Sequence, residues 1–421
     1  MQSQKLSIGF SAVLAILAVT IIMMAAPAVA QTEKVLYNFN YTAKKRGPIF
    51  PIGGLVFDAA GNLYGTANAG GGGGDTEFIG GAVFELTKMC GHWTLKTLHS
   101  FGSGKDGFAP DAGRGLIFDA AGNLYGTDPD GGAGAGLGIV FELSPIADGA
   151  WREKILLNGD GPEGGLIFDA AGNLYGTTYS GGSEQSRGNC QFGCGTAFEL
   201  SPTVDGGWTQ KTLHNFGGAG DGGHPMAALI FDGAGNLYGT TSGGGAFGLG
   251  TAFELSPDPD GGWTERILHN FGGVGDGETP KASLILDAAG NLYGTTYAGG
   301  AFSLGTAFRL SPQLGGGWTE SILHSFGTGE DGSALFAGLI FDASGNLYGT
   351  AWMGGAFGGG TLYELIPEAG GDWTEKTLHS FGNGKDGSGP HGELILDPEG
   401  NLYGTAGGGV YGLGTVFEVI P

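Results

Sequence analysis

Positive charge is scarce in this sequence. There are 18 Lys and Arg residues against 41 Asp and Glu residues, and the formal net charge at pH 7 is −23. Proteins that bind nucleic acids neutralise phosphate groups with clustered Lys and Arg side chains. The composition therefore argues against a nucleic acid partner, and it predicts an acidic surface that favours solubility.

Cysteine is also scarce, with three residues in the chain. Cys190 and Cys194 lie close together in one irregular segment, whereas Cys90 stands far from both. A metal site needs more ligands at closer spacing than these three residues offer. If the chain is exported to an oxidising compartment, we expect a local disulfide between Cys190 and Cys194.

Long apolar runs are absent after residue 30, so no membrane span is expected in the remainder of the chain. Residues 1–30 have the pattern of a secretory signal, because Lys5 precedes an apolar stretch and Ala28-Val29-Ala30 matches the small-x-small cleavage rule. We therefore predict a signal peptide over residues 1–30 and export to the periplasm, the cell surface or the extracellular space. An uncleaved membrane anchor is the alternative, since the apolar stretch is long.

Helical periodicity is missing as well. No segment after residue 30 spaces its apolar residues as a helix does, which excludes folds that alternate strands and helices. The chain contains 92 Gly residues, clustered between short runs of aromatic and β-branched residues. Because Gly permits tight turns, this pattern predicts many short strands joined by turns.

The sequence contains seven copies of one unit. The phrase Asp-Ala-Ala-Gly-Asn-Leu-Tyr-Gly-Thr recurs with small changes, beginning at Asp58, Asp119, Asp169, Asp232, Asp287, Asp342 and Asp397. Each unit contains four short apolar segments, as at 165–169, 173–177, 195–200 and 208–216. Turn residues separate these segments, so each unit is predicted to form a four-stranded antiparallel meander.

The first and last segments of the repeat region complement each other. The last unit has three strands, and residues 33–39 match the fourth strand of another unit, 375–381. We therefore predict one all-β domain over residues 31–421, a seven-bladed β-propeller of four-stranded antiparallel blades that the N-terminal strand closes. The predicted blades span 53–101, 115–157, 165–216, 228–271, 283–326, 338–381, and 393–421 together with 33–39.

The repeat resembles a known family. Its Gly-Asn-Leu-Tyr-Gly-Thr-Thr and Gly-Thr-Ala-Phe-Glu-Leu segments are similar to the Gloeo_Verruco (GloVer) repeat, found in proteins described as choice-of-anchor tandem repeat GloVer-containing proteins. The resemblance covers nearly all of residues 31–421. It implies export and a propeller-like repeat region, and it implies no established activity and no catalytic residues.

Acidic residues recur in the links between each fourth strand and the next unit. In a propeller these links share a face with the Gly-rich loops between second and third strands, and such loops commonly carry binding sites. The candidate ligand-binding residues are Asp106, Asp160, Asp221, Asp276, Asp331 and Asp386, with Lys44, Lys45 and Arg46 in the link to the first blade. This set suits sugar hydroxyls, calcium or a basic peptide. The alternative is a set of turn-forming Asp residues beside a solvated basic loop.

One histidine per unit recurs in five of the fourth strands. These residues are His99, His214, His269, His324 and His379. Because they are spread around the rim, they cannot converge on one metal ion, and a structural role is expected. No recognisable acid–base pair, nucleophile triad or phosphate loop breaks the symmetry of the repeat.

These observations favour a monomeric, exported, non-catalytic propeller that binds an unknown glycan, peptide or protein, or serves as a scaffold. A carbohydrate-active hydrolase or lyase that uses the Asp-rich face is one alternative, and a structural cell-surface protein is another. The sequence favours a non-catalytic role over an enzymatic one and does not decide between them. No cofactor is expected, although calcium would suit the carboxylates.

Overall fold

A computed structural model describes residues 32–41, 47–71, 80–102, 106–110, 115–133, 138–182, 190–327 and 329–421. Within these ranges the chain forms β-strands and one 3-10 turn, Ala147–Gly149, but no α-helix. The predicted signal peptide and the basic residues Lys44, Lys45 and Arg46 lie outside the described residues. None of the described residues belongs to a helix with the length and hydrophobicity that a membrane crossing requires.

Seven four-stranded antiparallel sheets form the blades, which are numbered here in chain order. The first strands are Val56–Phe57, Ile117–Phe118, Ile167–Phe168, Ile230–Phe231, Ile285–Leu286, Ile340–Phe341 and Ile395–Leu396. The second strands are Leu63–Ala67, Leu124–Asp128, Leu174–Thr178, Leu237–Thr241, Leu292–Thr296, Leu347–Ala351 and Leu402–Ala406.

The outer two strands of each blade are longer. The third strands are Ala82–Met89, Ile139–Pro145, Thr196–Pro202, Thr251–Pro257, Thr306–Pro312, Thr361–Pro367 and Thr415–Ile420. The fourth strands are His92–Ser100, Trp151–Asn158, Trp208–Asn215, Trp263–Asn270, Trp318–Ser325, Trp373–Ser380 and, for blade 7, Thr32–Asn38. The predicted all-β, seven-bladed propeller is confirmed.

The hairpin between the first and second strands is set by the Asp that begins each repeated phrase. Asp58 accepts hydrogen bonds from the N–H groups of Ala60 (2.8 Å) and Asn62 (2.9 Å), and from the Asn62 side chain. Burial alone would raise the pKa of Asp58, but these bonds and one from the Tyr64 hydroxyl hold it below its usual value. This Asp series therefore has a structural role in the turn.

The core lies between neighbouring blades. Phe101 of blade 1 packs against Phe141 of blade 2 with ring centroids 5.1 Å apart, and both side chains are fully buried. Tyr64 of blade 1 meets Phe118 of blade 2 edge to face at 5.1 Å. A lone four-stranded sheet leaves these faces exposed, so burial of apolar surface drives the blades to stack.

The N-terminal strand completes blade 7, as predicted. Val35 pairs with Phe417 and Glu33 pairs with Val419 in an antiparallel ladder. The Phe39 N–H continues this ladder with a 2.9 Å bond to the Gly414 carbonyl. Backbone pairing with the third strand of blade 7 therefore closes the ring and leaves that strand no free edge.

A second set of hydrogen bonds joins the blades near the first strands. The Thr177 hydroxyl, in the second strand of blade 3, donates to the Ala227 carbonyl before blade 4, at 3.0 Å. The equivalent bond from Thr405 to the Gly53 carbonyl, at 2.9 Å, links blade 7 to blade 1. Such bonds join the second strand of one blade to the residues that precede the first strand of the next blade, and blade 7 is joined to blade 1 as blade 3 is joined to blade 4. The first strands are called here the inner ring of the propeller.

Candidate functional site on the loop face

The links between blades lie beside the loops that join second and third strands. Between blades 3 and 4, Gly222–Gly223 of the link pairs with Gly243–Gly244 of the loop. Between blades 4 and 5, Gly277–Glu278 pairs with Ala298–Gly299 in the same way. Links and loops thus share one face, called here the loop face, which at the junction of blades 3 and 4 consists of the link after blade 3, residues 216–229, and the loop of blade 4, residues 242–250.

The predicted Asp residues do not form a shared ring on this face. Asp221 accepts hydrogen bonds from the Gly217 N–H (3.0 Å) and from His214 Nε2 (3.1 Å) of its own blade. Asp276, Asp331 and Asp386 each lie about 3 Å from the corresponding His: 2.9 Å for His269, and 3.0 Å for His324 and His379. Each carboxylate therefore contacts the link and the His of its own blade.

Two of the six predicted Asp residues differ from this arrangement. Asp106 lies 3.8 Å from His99, a longer separation than in the other blades. Asp160 belongs to a shortened link, has a positive φ of 65°, and its carbonyl accepts the Ser180 N–H at 3.1 Å. Burial raises the pKa of the Asp160 carboxyl. The six Asp residues thus serve separate junctions.

A glutamate from the following blade joins three of these His–Asp pairs. We call the three groups the junction clusters, and they are His99–Asp106–Glu153, His214–Asp221–Glu265 and His269–Asp276–Glu320. The His Nε2 to Glu carboxylate distance is 3.6 Å in each. In the sequence, the Glu of each cluster comes two residues after the Trp that begins a fourth strand, and that strand belongs to the unit after the one that supplies the His. Sequence reasoning missed this Glu because the partner comes from another unit.

The junction clusters hold two carboxylates in a mostly buried space. Burial, together with the negative charge of Asp221, raises the pKa of Glu265 to about 9. Burial and Asp276 raise the pKa of Glu320 to about 9 in the same way. Two adjacent carboxylates cannot both stay ionised in such a space without a compensating positive charge.

Exposed aromatic side chains project from the loop face of five consecutive blades. Each lies in the loop between the second and third strands, and their exposed fractions range from 48% to 72%. They are Phe192, Phe247, Phe302, Phe357 and Tyr411. Sequence reasoning identified these loops as Gly-rich but missed the aromatic series, since a Phe beside Gly also suits a buried position.

A mixed aromatic and cationic cluster breaks the symmetry near the inner ring. Lys281 Nζ lies 4.1 Å from the Tyr297 ring centroid and 4.6 Å from that of Phe336. Phe336 stacks on His391 at 4.4 Å and meets Trp352 edge to face at 5.5 Å. These contacts span blades 5, 6 and 7, and they place a cation–π interaction at one point of the loop face.

Residues 20–189 and 185–417 match the family model described as the Gloeobacter/Verrucomicrobia repeat. The chain belongs to the Gloeobacter/Verrucomicrobia repeat family. The resemblance carried by the repeated motif is therefore confirmed over most of the chain. No curated protein matches the sequence.

In this member of the Gloeobacter/Verrucomicrobia repeat family, the loop face also contains a cavity of about 760 Å³ between blades 3 and 4. The Cys190–Cys194 disulfide lines one side of it, and the link from Gly217 to His224 lines another. His224 stacks on the exposed Tyr179 with centroids 4.5 Å apart. Backbone amides and carbonyls of Gly form much of the remaining wall, so the cavity can offer hydrogen bonds together with ring stacking.

Proposed function

We propose that this protein is an exported, non-catalytic propeller whose loop face binds a carbohydrate polymer. The observation that carries the proposal is the exposed aromatic side chain at a corresponding loop position in five consecutive blades, from Phe192 to Tyr411. Large exposed apolar side chains arranged in a series mark interaction surfaces. An aromatic ring stacks on the C–H face of a sugar ring, and repeated rings suit a ligand whose units also repeat.

The surroundings of these rings favour a neutral polysaccharide. Gly-rich loops border the cavity with backbone atoms, as at Gly243–Gly245, and a carbonyl oxygen can accept a further hydrogen bond from a sugar hydroxyl. The net charge of −23 disfavours a strongly anionic polymer. The cluster around Lys281 supplies one cationic side chain beside aromatic rings, which suits orientation of a ligand on the loop face.

The positions of the Asp residues support binding over hydrolysis. Glycosidases place two carboxyl groups with different roles across one scissile bond. Here Asp221 and Asp276 each share a junction cluster with a Glu, but the two ligand oxygens of a cluster lie within 4.8 Å of each other and of one His nitrogen, closer than the about 5–5.5 Å between the carboxyl groups of a retaining glycosidase. A purely structural surface protein would keep both faces symmetric, whereas Lys281, Phe336 and His391 differ at one position of the repeat.

Export is part of the proposal. It is supported by the signal-like pattern of residues 1–30 and by the Cys190–Cys194 disulfide, a bond characteristic of oxidising compartments.

Binding of insoluble neutral polysaccharides tests the proposal. We expect the protein to be retained, and the variant Phe247→Ala/Phe302→Ala/Phe357→Ala to bind at least about tenfold more weakly, since each lost stack contributes about 1 kcal/mol. The matched control is Val204→Ala/Leu314→Ala, which removes exposed apolar side chains from hairpins on the opposite face. Equal retention of the aromatic variant and the control would contradict the proposal.

A further inference from the structure

We propose that the three junction clusters are binding sites for a divalent transition-metal ion, with Zn²⁺ as the representative ion. Each cluster offers one imidazole nitrogen and two carboxylate oxygens, and these three atoms lie within 4.8 Å of one another. The ligands come from two adjacent blades, so a bound ion would bridge the junction. The proposal does not depend on carbohydrate binding.

The distances within a cluster suit one ion. His269 Nε2 lies 2.9 Å from Asp276 Oδ2 and 3.6 Å from Glu320 Oε2. Ligands about 2.1 Å from a tetrahedral Zn²⁺ are roughly 3.4 Å apart, so small side-chain shifts produce three-ligand coordination. The His269 side chain is 21% exposed, which leaves a route for the ion and a position for a water ligand.

Buried oxygen atoms without a hydrogen-bond partner give a second, independent indication of a cation site. Among the described residues, Asp221 Oδ1, Glu265 Oε1 and Glu320 Oε1 are buried and have no hydrogen-bond partner. The Asp221 side chain is more than nine-tenths buried, at 9% exposure. Buried carboxylates need a partner that offsets their desolvation, and a divalent ion would neutralise both carboxylates of a cluster.

The seven junctions provide an internal comparison. At the junction of blades 2 and 3, strand pairing places Leu157 of blade 2 at the position that His214 occupies in blade 3. Gln210 of blade 3 stands at the Glu position of the same junction. At the junction of blades 7 and 1, Tyr37 replaces the His and Leu95 replaces the Glu. The His and Glu positions are thus occupied together or lost together, as expected of residues that act as one unit.

The nitrogen ligand decides the class of metal. Imidazole binds Zn²⁺ and other late transition metals well, whereas Ca²⁺ takes oxygen ligands in larger numbers. Calcium, which the Asp series suggested in the sequence, is therefore not the ion that the clusters suit. The junctions at His324 and His379 carry the same residue types, but among the described residues only the three junction clusters bring all three ligand atoms within 4.8 Å of one another, so the proposal is limited to them.

The test counts Zn²⁺ bound to the purified full-length protein after treatment with a chelator, addition of ZnCl₂ and gel filtration. We expect two to three ions per chain by elemental analysis. We also expect a rise in Tm of at least about 3 °C with excess Zn²⁺, because the ion binds only the folded clusters. Retention of fewer than one ion per chain without a Tm shift would overturn the proposal and leave a shared proton as the neutralising charge.

Matched variants separate the clusters from adventitious binding by other histidines. Glu153→Gln/Glu265→Gln/Glu320→Gln keeps every His and nearly every side-chain atom, and should reduce bound Zn²⁺ to fewer than one ion per chain. The control Glu142→Gln/Glu199→Gln/Glu254→Gln removes the same charge from the third strands and should retain the wild-type count. Equal counts in the two variants would also overturn the proposal, whatever their stability.

Discussion

At the scale of single residues, the repeat shows what each position requires. Six third strands carry Phe at the centre of the blade interface, and blade 6 carries Tyr363 instead. Tyr363 is fully buried, and its hydroxyl has no hydrogen-bond partner among the described residues. Burial also raises the pKa of Tyr363 well above its usual value. Its hydroxyl therefore adds a desolvation cost that the Phe residues of the other blades avoid.

Tyr363→Phe should increase the free energy of unfolding by about 1 kcal/mol, because it removes a buried polar group without opening a cavity. Chemical denaturation measures this change.

Tyr348→Phe is the matched control. The Tyr348 hydroxyl donates a hydrogen bond to the Glu364 carboxylate at 2.9 Å, and this substitution removes that bond. The control should lower the free energy of unfolding by about 1 kcal/mol. A loss of stability in both variants would show that the Tyr363 hydroxyl is satisfied.

At the scale of structural elements, the last residue of each second strand in blades 2 and 4 forms local hydrogen bonds on the loop face. In blade 4 the Thr241 hydroxyl accepts the Thr251 N–H at 3.1 Å and donates to the Gly243 carbonyl. Blade 2 has Asp128 at this position, and its carboxylate accepts the link N–H of Phe108 at 2.7 Å and the N–H of Asp130 at 3.0 Å. In blade 2 this side chain thus joins the described part of the link to the loop that follows the second strand.

Asp128 should make stability depend on pH. Burial raises its pKa to about 7, although hydrogen bonds from backbone N–H groups oppose the rise. The pKa of Asp128 in the folded state exceeds its value in the unfolded chain, which is near 3.9. The protonated Asp128 carboxyl group therefore contributes its full stabilisation below about pH 4, and this contribution is lost as pH rises to 7. Asp128→Asn, which mimics the protonated carboxyl group, should remove this loss.

The measurement compares the Tm of the wild type and of Asp128→Asn between pH 4 and 8. Relative to the variant, the wild type should lose several degrees as pH rises. Parallel pH profiles for the two proteins would contradict the assignment.

Sequence reasoning predicted the elements well, but it did not predict how the candidate site residues contact one another. Strands and hairpins follow from local patterns, such as the Asp and Gly of each turn, and the closing strand follows from the similarity of residues 33–39 to 375–381. The role of Asp221 did not follow, because its contacts with His214 and Glu265 form only after two blades stack. Burial in a junction depends on tertiary packing, which a single repeat unit does not encode.

At the scale of the whole molecule, every strand position is filled seven times. The closing strand buries Phe39 and Leu36 in the core at the junction with blade 1, where Phe39 meets Phe84 at 5.2 Å. Without it, the third strand of blade 7 would be an exposed edge and this core would open to solvent. Closure by the N-terminal strand therefore positions blade 1, blade 7 and the loop face between them.

Thermal unfolding of a variant that lacks residues 31–39 tests this closure most directly. We predict a Tm at least about 10 °C below that of the full chain, since the deletion exposes a strand edge and removes two buried side chains worth about 2–5 kcal/mol each. Lys34→Ala is the control, because it removes only an exposed ion pair with Glu418 and should shift the Tm by less than about 2 °C. A truncated protein that unfolds at the same temperature as the full chain would contradict closure of the ring by its N-terminal strand.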